Sequence, residues 1–507
     1  MEENFIEQAQ RRIRESAAVS PNDHAPTLPG QERLSHARSS LPDASGEGYL
    51  SGLGPVVTLN HLMDDIVPAL NGQNRSGRYW GFVTGSTLPI AEVADNIVSA
   101  YDQNVQVHLP DQTIATEVED AALRMLLRLL DLGEPEQWEG RTFTTGATGS
   151  NILGLACGRE AVVTSRLPDG AESVGELGIL RACATAGIEE IQVLTSMGHS
   201  SLSKAASVVG LGRSSVKLLP FSDAEPWRLD LDAVERELQR KNIASIIAIS
   251  AGEVNTGRFA TTGIEDMRRL RDLADQYRAW IHVDGAFGIF ARVLPTRDEF
   301  SSLHKVNAGL ELSDSITIDG HKLLNVPYDN GIFFTRKSSV LNNVFKNPNA
   351  AYLSSNGASN IQSPLNIGLE NSRRFRALPV YAVLRSEGRE GISKMMERMA
   401  LTARAIARVI QSSSDYILLP DVGSSPLSII SNTHIIVLFR AKDDALNEVL
   451  VQKINEGNEW YVGGTKWDGR PAVRVAVSSW RADPDDALNT VKQSLAAISE
   501  EYQRSRS

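Results

Sequence analysis

Apolar and polar positions along this chain follow two different periods. Between Arg141 and Arg336, apolar runs of strand length recur: "IQVLTS" from Ile191, "SVKLLPF" from Ser215, "ASIIAIS" from Ala244, "AWIHVDG" from Ala279, "SITIDG" from Ser315 and "GIFFTR" from Gly331. Segments with apolar residues at helical spacing lie between them, such as "LDAVERELQRK" from Leu231 and "IEDMRRLRDLADQYR" from Ile264. Strands separated by helices predict an α/β domain on a mainly parallel sheet, with sites gathered where the C-terminal strand ends converge. Upstream, "EVADNIVSAYDQN" from Glu92 and "TEVEDAALRMLLRLLDLG" from Thr116 read as helices, the second stopping at Gly133. From Ala377 the pattern changes. A long helical stretch ("GISKMMERMALTARAIARVIQ"), the strands "HIIVLFR" and "AVRVAVSSW" and a last helix predict a smaller α+β domain. Pro, Ser, Asp and Gly dominate Pro21–Gly54, a composition that forms no core of its own and predicts an arm or linker. The expected division is an N-terminal arm over 1–85, a large domain over 86–376 and a small domain over 377–507.

Composition narrows the class. At 507 residues the chain is too long for one simple core. With 42% hydrophobic and 22% charged residues it falls in the ordinary globular range. A formal charge of −11 argues against a nucleic-acid or anionic-membrane partner, since either needs a clustered basic face. Apolar runs such as "IASIIAIS" are too short to span a membrane, and the acidic N-terminus lacks the apolar core of a signal segment. Two cysteines, Cys157 and Cys183, predict a reducing compartment without a disulfide framework, so cytoplasmic residence is expected.

Four stretches carry candidate chemistry. In "TTGATGSNILGLACGRE", small residues precede a helix whose free N–H groups suit a phosphate, although neither a P-loop nor G-x-G-x-x-G is present. In "AWIHVDGAFGIF", Asp284 ends a strand beside Gly285 and Ala286; a carboxylate there needs a cationic or hydrogen-bonded partner, such as a protonated ring nitrogen. In "SITIDGHKLLNVPYDNG", Lys322 follows a strand end, where an amine can be desolvated for Schiff-base chemistry. In "TSMGHSSLSKAASVVGLG", His199 sits at a strand-to-helix turn, placed to stack on a flat ring or move a proton; the G-x-S-x-G elbow of serine hydrolases is missing. Taken singly, each stretch also reads as a turn, a cap or a solvated charge. Together they offer a phosphate cradle, an aromatic stacker, a carboxylate and an amine, each just after a strand. Pyridoxal phosphate has the complementary parts.

With these motifs in order, the sequence resembles the group II pyridoxal-phosphate-dependent amino-acid decarboxylases, the family of aromatic-amino-acid, tyrosine and glutamate decarboxylases. "GFVTGSTLP", "TEVE", "TTGATGSN", "GHSS", "AGEVNTG", "HVDGAFG", "DGHKLLNVPYD", "GLENSRRFRALP" and "GRPAVRVAVSSWR" carry the resemblance over almost the whole chain after the arm. It implies a fold-type I α/β architecture, with a mainly parallel seven-stranded sheet in the large domain. It also implies pyridoxal 5′-phosphate held by Lys322 as a Schiff base. Ala147 and Thr148 would take the phosphate, His199 would stack over the ring with Ala286 opposite, and Asp284 would face the ring nitrogen. His321 matches the histidine before the lysine. The resemblance further implies an obligate homodimer with its site at the subunit interface and the arm wrapped around the partner. Thr84 is expected on the substrate side, and no metal is expected.

The implied activity is decarboxylation of an L-amino acid, aromatic or otherwise hydrophobic. Oxidative deamination to an aldehyde, aldol cleavage and transamination remain alternatives on the same scaffold, as does a catalytically idle scaffold protein. Animal aromatic members carry a loop tyrosine after the lysine that protonates Cα. Here that segment holds only Tyr352, which falls early, leaving Tyr328 and His108 as alternative donors. Glu253 stands where aromatic-type members often have a hydroxyl residue.

Overall fold

The computed structural model describes residues 2–18, 25–46, 48–348, 361–421 and 426–506. Helices α1 (Glu2–Ala17), α2 (Gln31–Ser40) and α3 (Pro55–His61) come first, then strand β1 (Tyr79–Trp80) and helices α4 (Pro89–Tyr101) and α5 (Ala115–Leu129). The Pro- and Ser-rich arm carries more structure than its composition predicts. Helix α2 lies inside it with no buried residue. Ahead of α2, Thr27 is 1% exposed, and its hydroxyl and the Leu28 N–H donate to Asn458 Oδ1 at 2.8 and 2.9 Å. The arm has no core of its own and gains order by lying on the C-terminal half.

Helix α5 stops before the glycine expected to end it. Asp131 takes the left-handed conformation (φ 51), and the Leu132 N–H donates back to the Leu127 carbonyl at 3.0 Å. This closure buries Leu130 and Leu132 completely, so the apolar side chains set the stop and Gly133 follows it.

The main sheet contains β2 (Gly140–Thr144), β3 (Glu190–Thr195), β4 (Val216–Leu218), β5 (Ile243–Ser250), β6 (Trp280–Asp284), β7 (Ser315–Asp319) and β8 (Gly331–Thr335). Its order is β2-β8-β7-β6-β5-β3-β4. Neighbours from β7 to β4 are parallel, whereas β8 runs antiparallel to both β7 and β2. Helices cover both faces, which explains why β5 is buried from Ala244 to Ser250 and reads as a continuous apolar run. Helix α6 (Ala147–Thr164) leaves β2, and α7 (Ser200–Val208) leaves β3.

Two glycines bring α6 close to the sheet. A Cβ on Gly154 would stand 2.2 Å from His282 Cε1, and one on Gly158 would stand 2.9 Å from Ile246 Cδ1. Their absence of side chain fixes the height of α6, and so of its N-terminus, above the strand ends.

Helix α8 (Ala377–Ser412), kinked at Gly388, leads into β9 (Tyr416–Leu419), β10 (Ile436–Ala441), β11 (Tyr461–Trp467), β12 (Arg470–Ala476) and α9 (Pro484–Arg504). The second sheet runs β1-β11-β12-β10-β9, with Tyr79–Trp80 adding a parallel strand to β11. Helix α8 packs on α4, α5 and α9 and joins the two halves. Among the described residues, no helix is long and apolar enough to cross a membrane.

Candidate active site

The C-terminal ends of β2, β3, β5, β6 and β7 open on one cleft of about 460 Å³. Ala147, Thr148, His199, Asp284, Ala286, His321 and Lys322 all line it, although they come from four separate strand ends. Thr84 is not part of the lining. Its hydroxyl donates to the Gly81 carbonyl at 3.3 Å, and the neighbouring Phe82 and Val83 face the cleft instead.

On the phosphate side, α6 presents its first N–H groups to the cleft. The Ala147 N–H donates to Asp319 Oδ1 at 2.6 Å. Asp319 is 2% exposed, and its other oxygen pairs with Lys322 Nζ at 2.9 Å. One buried carboxylate therefore bridges the helix start and the lysine, which also sits 5.9 Å from the centre of the Phe287 ring. His321 Nδ1 accepts the Asn330 N–H at 3.1 Å, which leaves the neutral ring's proton on Nε2, 3.6 Å from Asp319. Burial pulls the His321 pKa down, outweighing the pull of Asp319 in the other direction.

On the ring side, a hydrogen-bond chain runs beneath the cleft. Trp280 Nε1 donates to Ser315 Oγ at 3.0 Å, and Ser315 Oγ lies 2.8 Å from His282 Nδ1. His282 Nε2 meets Asn151 Oδ1 at 3.0 Å. The Asn151 amide then donates to Asp284 Oδ2 at 2.9 Å and to Ser201 Oγ at 3.0 Å. Ser201 Oγ reaches His199 Nδ1 at 2.8 Å, and the Ser201 N–H donates to the same nitrogen at 3.2 Å. With donors assigned consistently, His199 is neutral with its proton on Nε2. Burial pulls its pKa down, and that of His282 to about 4. Asp284 Oδ1 also accepts the Ala286 N–H at 3.2 Å, so the carboxylate is held from two sides.

Sequence reasoning missed several members. Asp319 had a readable signal: it ends a strand one helical turn before the lysine. Asn151 lies one turn into α6 and reaches Asp284 only through the tertiary fold. Arg474 comes from β12 in the second sheet, lines the cleft, and donates to the Val254 carbonyl at 3.1 Å.

Glu253 is not among the residues that line the cleft. One oxygen accepts the Asn255 N–H at 2.9 Å; the other accepts the Thr256 N–H at 2.8 Å and its hydroxyl at 2.9 Å. It caps its own turn, and burial pushes its carboxyl pKa up. Of the alternative proton donors, Tyr328 lines the cleft, with its ring centre 4.5 Å from that of His321. His108 lies outside the lining, buried, with Nδ1 bonded to Thr116 Oγ1 at 2.7 Å. Tyr352 lies outside the described residues.

These residues fit pyridoxal 5′-phosphate. The helix start offers N–H donors to a phosphate, and Gly146 keeps the space before it open: a Cβ there would stand 3.1 Å from His321 Cε1. Asp284 is an oriented carboxylate for a ring nitrogen. Ala286 and His199 offer a small face and a flat one, and Lys322 offers the amine. Fold and cleft together define an α/β enzyme built around this cofactor.

Comparison with known proteins narrows the class further. The model of the pyridoxal-dependent decarboxylase conserved domain matches residues 90–428, and this chain belongs to that family of pyridoxal-phosphate-dependent amino-acid decarboxylases. An L-2,4-diaminobutyrate decarboxylase of Acinetobacter baumannii is 25% identical over 424 residues, covering 81% of this chain and 78% of that protein. Tryptophan decarboxylase 1 of Oryza sativa subsp. japonica is 24% identical over 444 residues, covering 83% and 80%. The crystal structure of Oryza sativa TDC with PLP and tryptamine matches with a TM-score of 0.79 at 20% identity, over 98% of each chain. That likeness shows the fold, the expected fold-type I arrangement.

Proposed function

We propose that this chain decarboxylates an L-amino acid with an aromatic or otherwise hydrophobic side chain, with Lys322 as the amine that tethers the cofactor. The observation that carries this reading is the convergence of Lys322, Asp284, His199 and the α6 start on one cleft with partly apolar walls, Phe82, Val83, Val254 and Phe287. Bound pyridoxal 5′-phosphate would supply an acceptor for the electron pair released at Cα when carbon dioxide leaves. Ala147 and Thr148 would hold the phosphate at the α6 start, the Ala147 N–H only by exchanging its bond to Asp319 for one to the phosphate, while Asp284, oriented by Asn151, would face the ring nitrogen. His199 and Ala286 would confine the ring between them. Arg474 draws the substrate carboxylate into the cleft, and the apolar wall at Phe82 and Val83 receives the side chain, in place of Thr84. Tyr328 is our candidate proton donor to Cα, because it lines the cleft with its ring centre 4.5 Å from that of His321.

The working unit we propose is a homodimer in a reducing, cytoplasmic setting, with the chain divided as 1–85, 86–376 and 377–507. Cys157 and Cys183 are free thiols. On α4, Val93, Ile97 and Tyr101 repeat every four residues and are 50, 45 and 73% exposed. On the arm, Leu50, Leu53, Val56 and Val57 are also exposed. So much uncovered apolar surface on the arm and its neighbouring helix suits a second copy of the chain.

The test is a panel of L-amino acids given to the cofactor-loaded protein, with carbon dioxide, amine, aldehyde and peroxide measured. Equal amounts of carbon dioxide and amine from aromatic or aliphatic substrates are expected. Turnover confined to acidic or basic amino acids would overturn the substrate reading, and aldehyde with peroxide would overturn the simple decarboxylation.

A further inference from the structure

Glu253 is a buried acid for which the chemistry of the cleft has no use. It stands in the turn after β5, between Gly252 and Val254, both of which line the cleft, while Glu253 itself does not. The turn closes on itself: the Glu253 N–H donates to the Arg258 carbonyl at 2.6 Å, and the Gly257 N–H donates to the Glu253 carbonyl at 2.7 Å. Inside it the carboxylate accepts three donors, the Asn255 N–H, the Thr256 N–H and the Thr256 hydroxyl. Two carboxylate oxygens can take all three; a single hydroxyl, with two lone pairs, cannot. A carboxylate that is 2% exposed is costly to bury, and these donors offset that cost by clamping residues 253 to 256 into one shape.

Arg474 hangs on that clamp. It rises from β12 in the second sheet, lines the cleft, and donates from Nη1 to the Val254 carbonyl at 3.1 Å. Among the described residues this is its one hydrogen bond, and no carboxylate lies within ion-pair distance of its guanidinium. Asn255 Oδ1 accepts the Thr465 hydroxyl at 2.7 Å, which ties the same turn to β11. A guanidinium on a long, flexible stem is aimed by the acceptor that holds it. Here the acceptor is a carbonyl flanked by Glu253 and by the Asn255 N–H that Glu253 binds. Burial lowers the Arg474 pKa, and the charge of Glu253 opposes that fall. Given Arg474 as the receiver of the substrate carboxylate, the reading on which this rests, we infer that Glu253 is its positioning residue: it fixes the Val254 carbonyl and, through it, the aim of the guanidinium into the cleft.

A ligand with a carboxylate feels the loss of such a clamp, and the same ligand without one does not. The probes are whichever of L-phenylalanine, L-tryptophan and L-leucine the cofactor-loaded wild type turns over fastest, and the amine left when that acid loses carbon dioxide. The KM of the acid and the inhibition constant of the amine are measured on wild type, Glu253→Ala, Arg474→Gln and the double variant. We expect Glu253→Ala to raise the KM about fivefold or more and to move the amine constant by less than about twofold. Arg474→Gln should raise the KM about tenfold or more, and adding Glu253→Ala to it should change the KM by less than about twofold, since the clamp then has nothing to aim. Should Glu253→Ala not retain cofactor absorbance, Glu253→Gln takes its place, keeping one acceptor oxygen, with a KM rise of about threefold or more expected. An unchanged KM in the Glu253 variant, equal losses for acid and amine, or a KM rise undiminished in the Arg474→Gln background would overturn this role for Glu253 and leave that of Arg474 standing. An unchanged KM in Arg474→Gln, or wild type that turns over none of the three acids, would overturn both.

Discussion

At Lys322 the chain places an ammonium where a strand gives way to a single helical turn, 2.9 Å from a carboxylate that is almost wholly buried. Among the described residues, no other lysine lines the cleft. Lys322→Ala should therefore lower turnover by about a thousandfold or more, read by steady-state carbon dioxide release. The Asn151 amide is the side-chain donor that holds Asp284, and its removal leaves both Asp284 and His282 short of a partner. Asn151→Leu should cost about 1–3 kcal/mol at the site, seen as roughly 5- to 150-fold weaker cofactor binding in equilibrium dialysis. Unchanged binding would mean that Asp284 needs no second side-chain support. At this scale the sequence was informative where a residue ends a strand, as Asp284 does, or stands in the turn just beyond one, as Lys322 and His199 do. It was silent on Asn151, which holds Asp284 from beneath the cleft, and on Arg474, Phe82 and Val83, which reach the cleft from another sheet and an upstream loop. Thr84 stands next to the lining residues Phe82 and Val83, in an irregular loop with no period to say which side chain faces inward.

Helix α6 shows how an element carries the site. Its phosphate-facing end is fixed by contacts two and three turns away, where Gly154 and Gly158 let it lie against His282 and Ile246. Gly154→Ala would drive a methyl into the His282 ring, lifting the helix and disturbing the chain that orients Asp284. The expected outcome is a loss of about 1–3 kcal/mol in stability, measured by thermal unfolding, together with weaker cofactor retention. An unshifted melting temperature would show that the helix has slack. Strands β3 and β5 to β8 were legible because both of their faces are buried, giving apolar runs bounded by turns. Strands β1, β9 and β11 were not. β1 has two residues and exists only by pairing with β11, and β11 carries Gly463 and Gly464 in its middle. The stop of α5 was misplaced because the burial of Leu130 and Leu132, not a glycine, closes the helix.

Across the whole molecule, two buried histidines tie stability to pH. Burial pulls His282 to about 4 and His434 to about 3, from an ordinary value near 6.5. Both are neutral in the folded chain, whereas unfolding lets them take up a proton. Their contribution is therefore complete above about pH 6.5 and is lost as pH falls toward 4. One such histidine corresponds to ~3 kcal/mol, so the melting temperature should drop steadily between pH 6.5 and 4.5; a rise over that window would contradict the assignment. Association is the other molecular property. Ile97→Asp, on the exposed stripe of α4, should shift the sedimenting species from twice the chain mass to one. A wild-type monomer would remove the dimer from the proposal. Above either stands the covalent attachment of the cofactor. Reducing the cofactor-loaded protein with borohydride and mapping its peptides reads that attachment directly. The label is expected on the peptide that contains Lys322 and nowhere else; a label on another lysine, or none, would contradict the account.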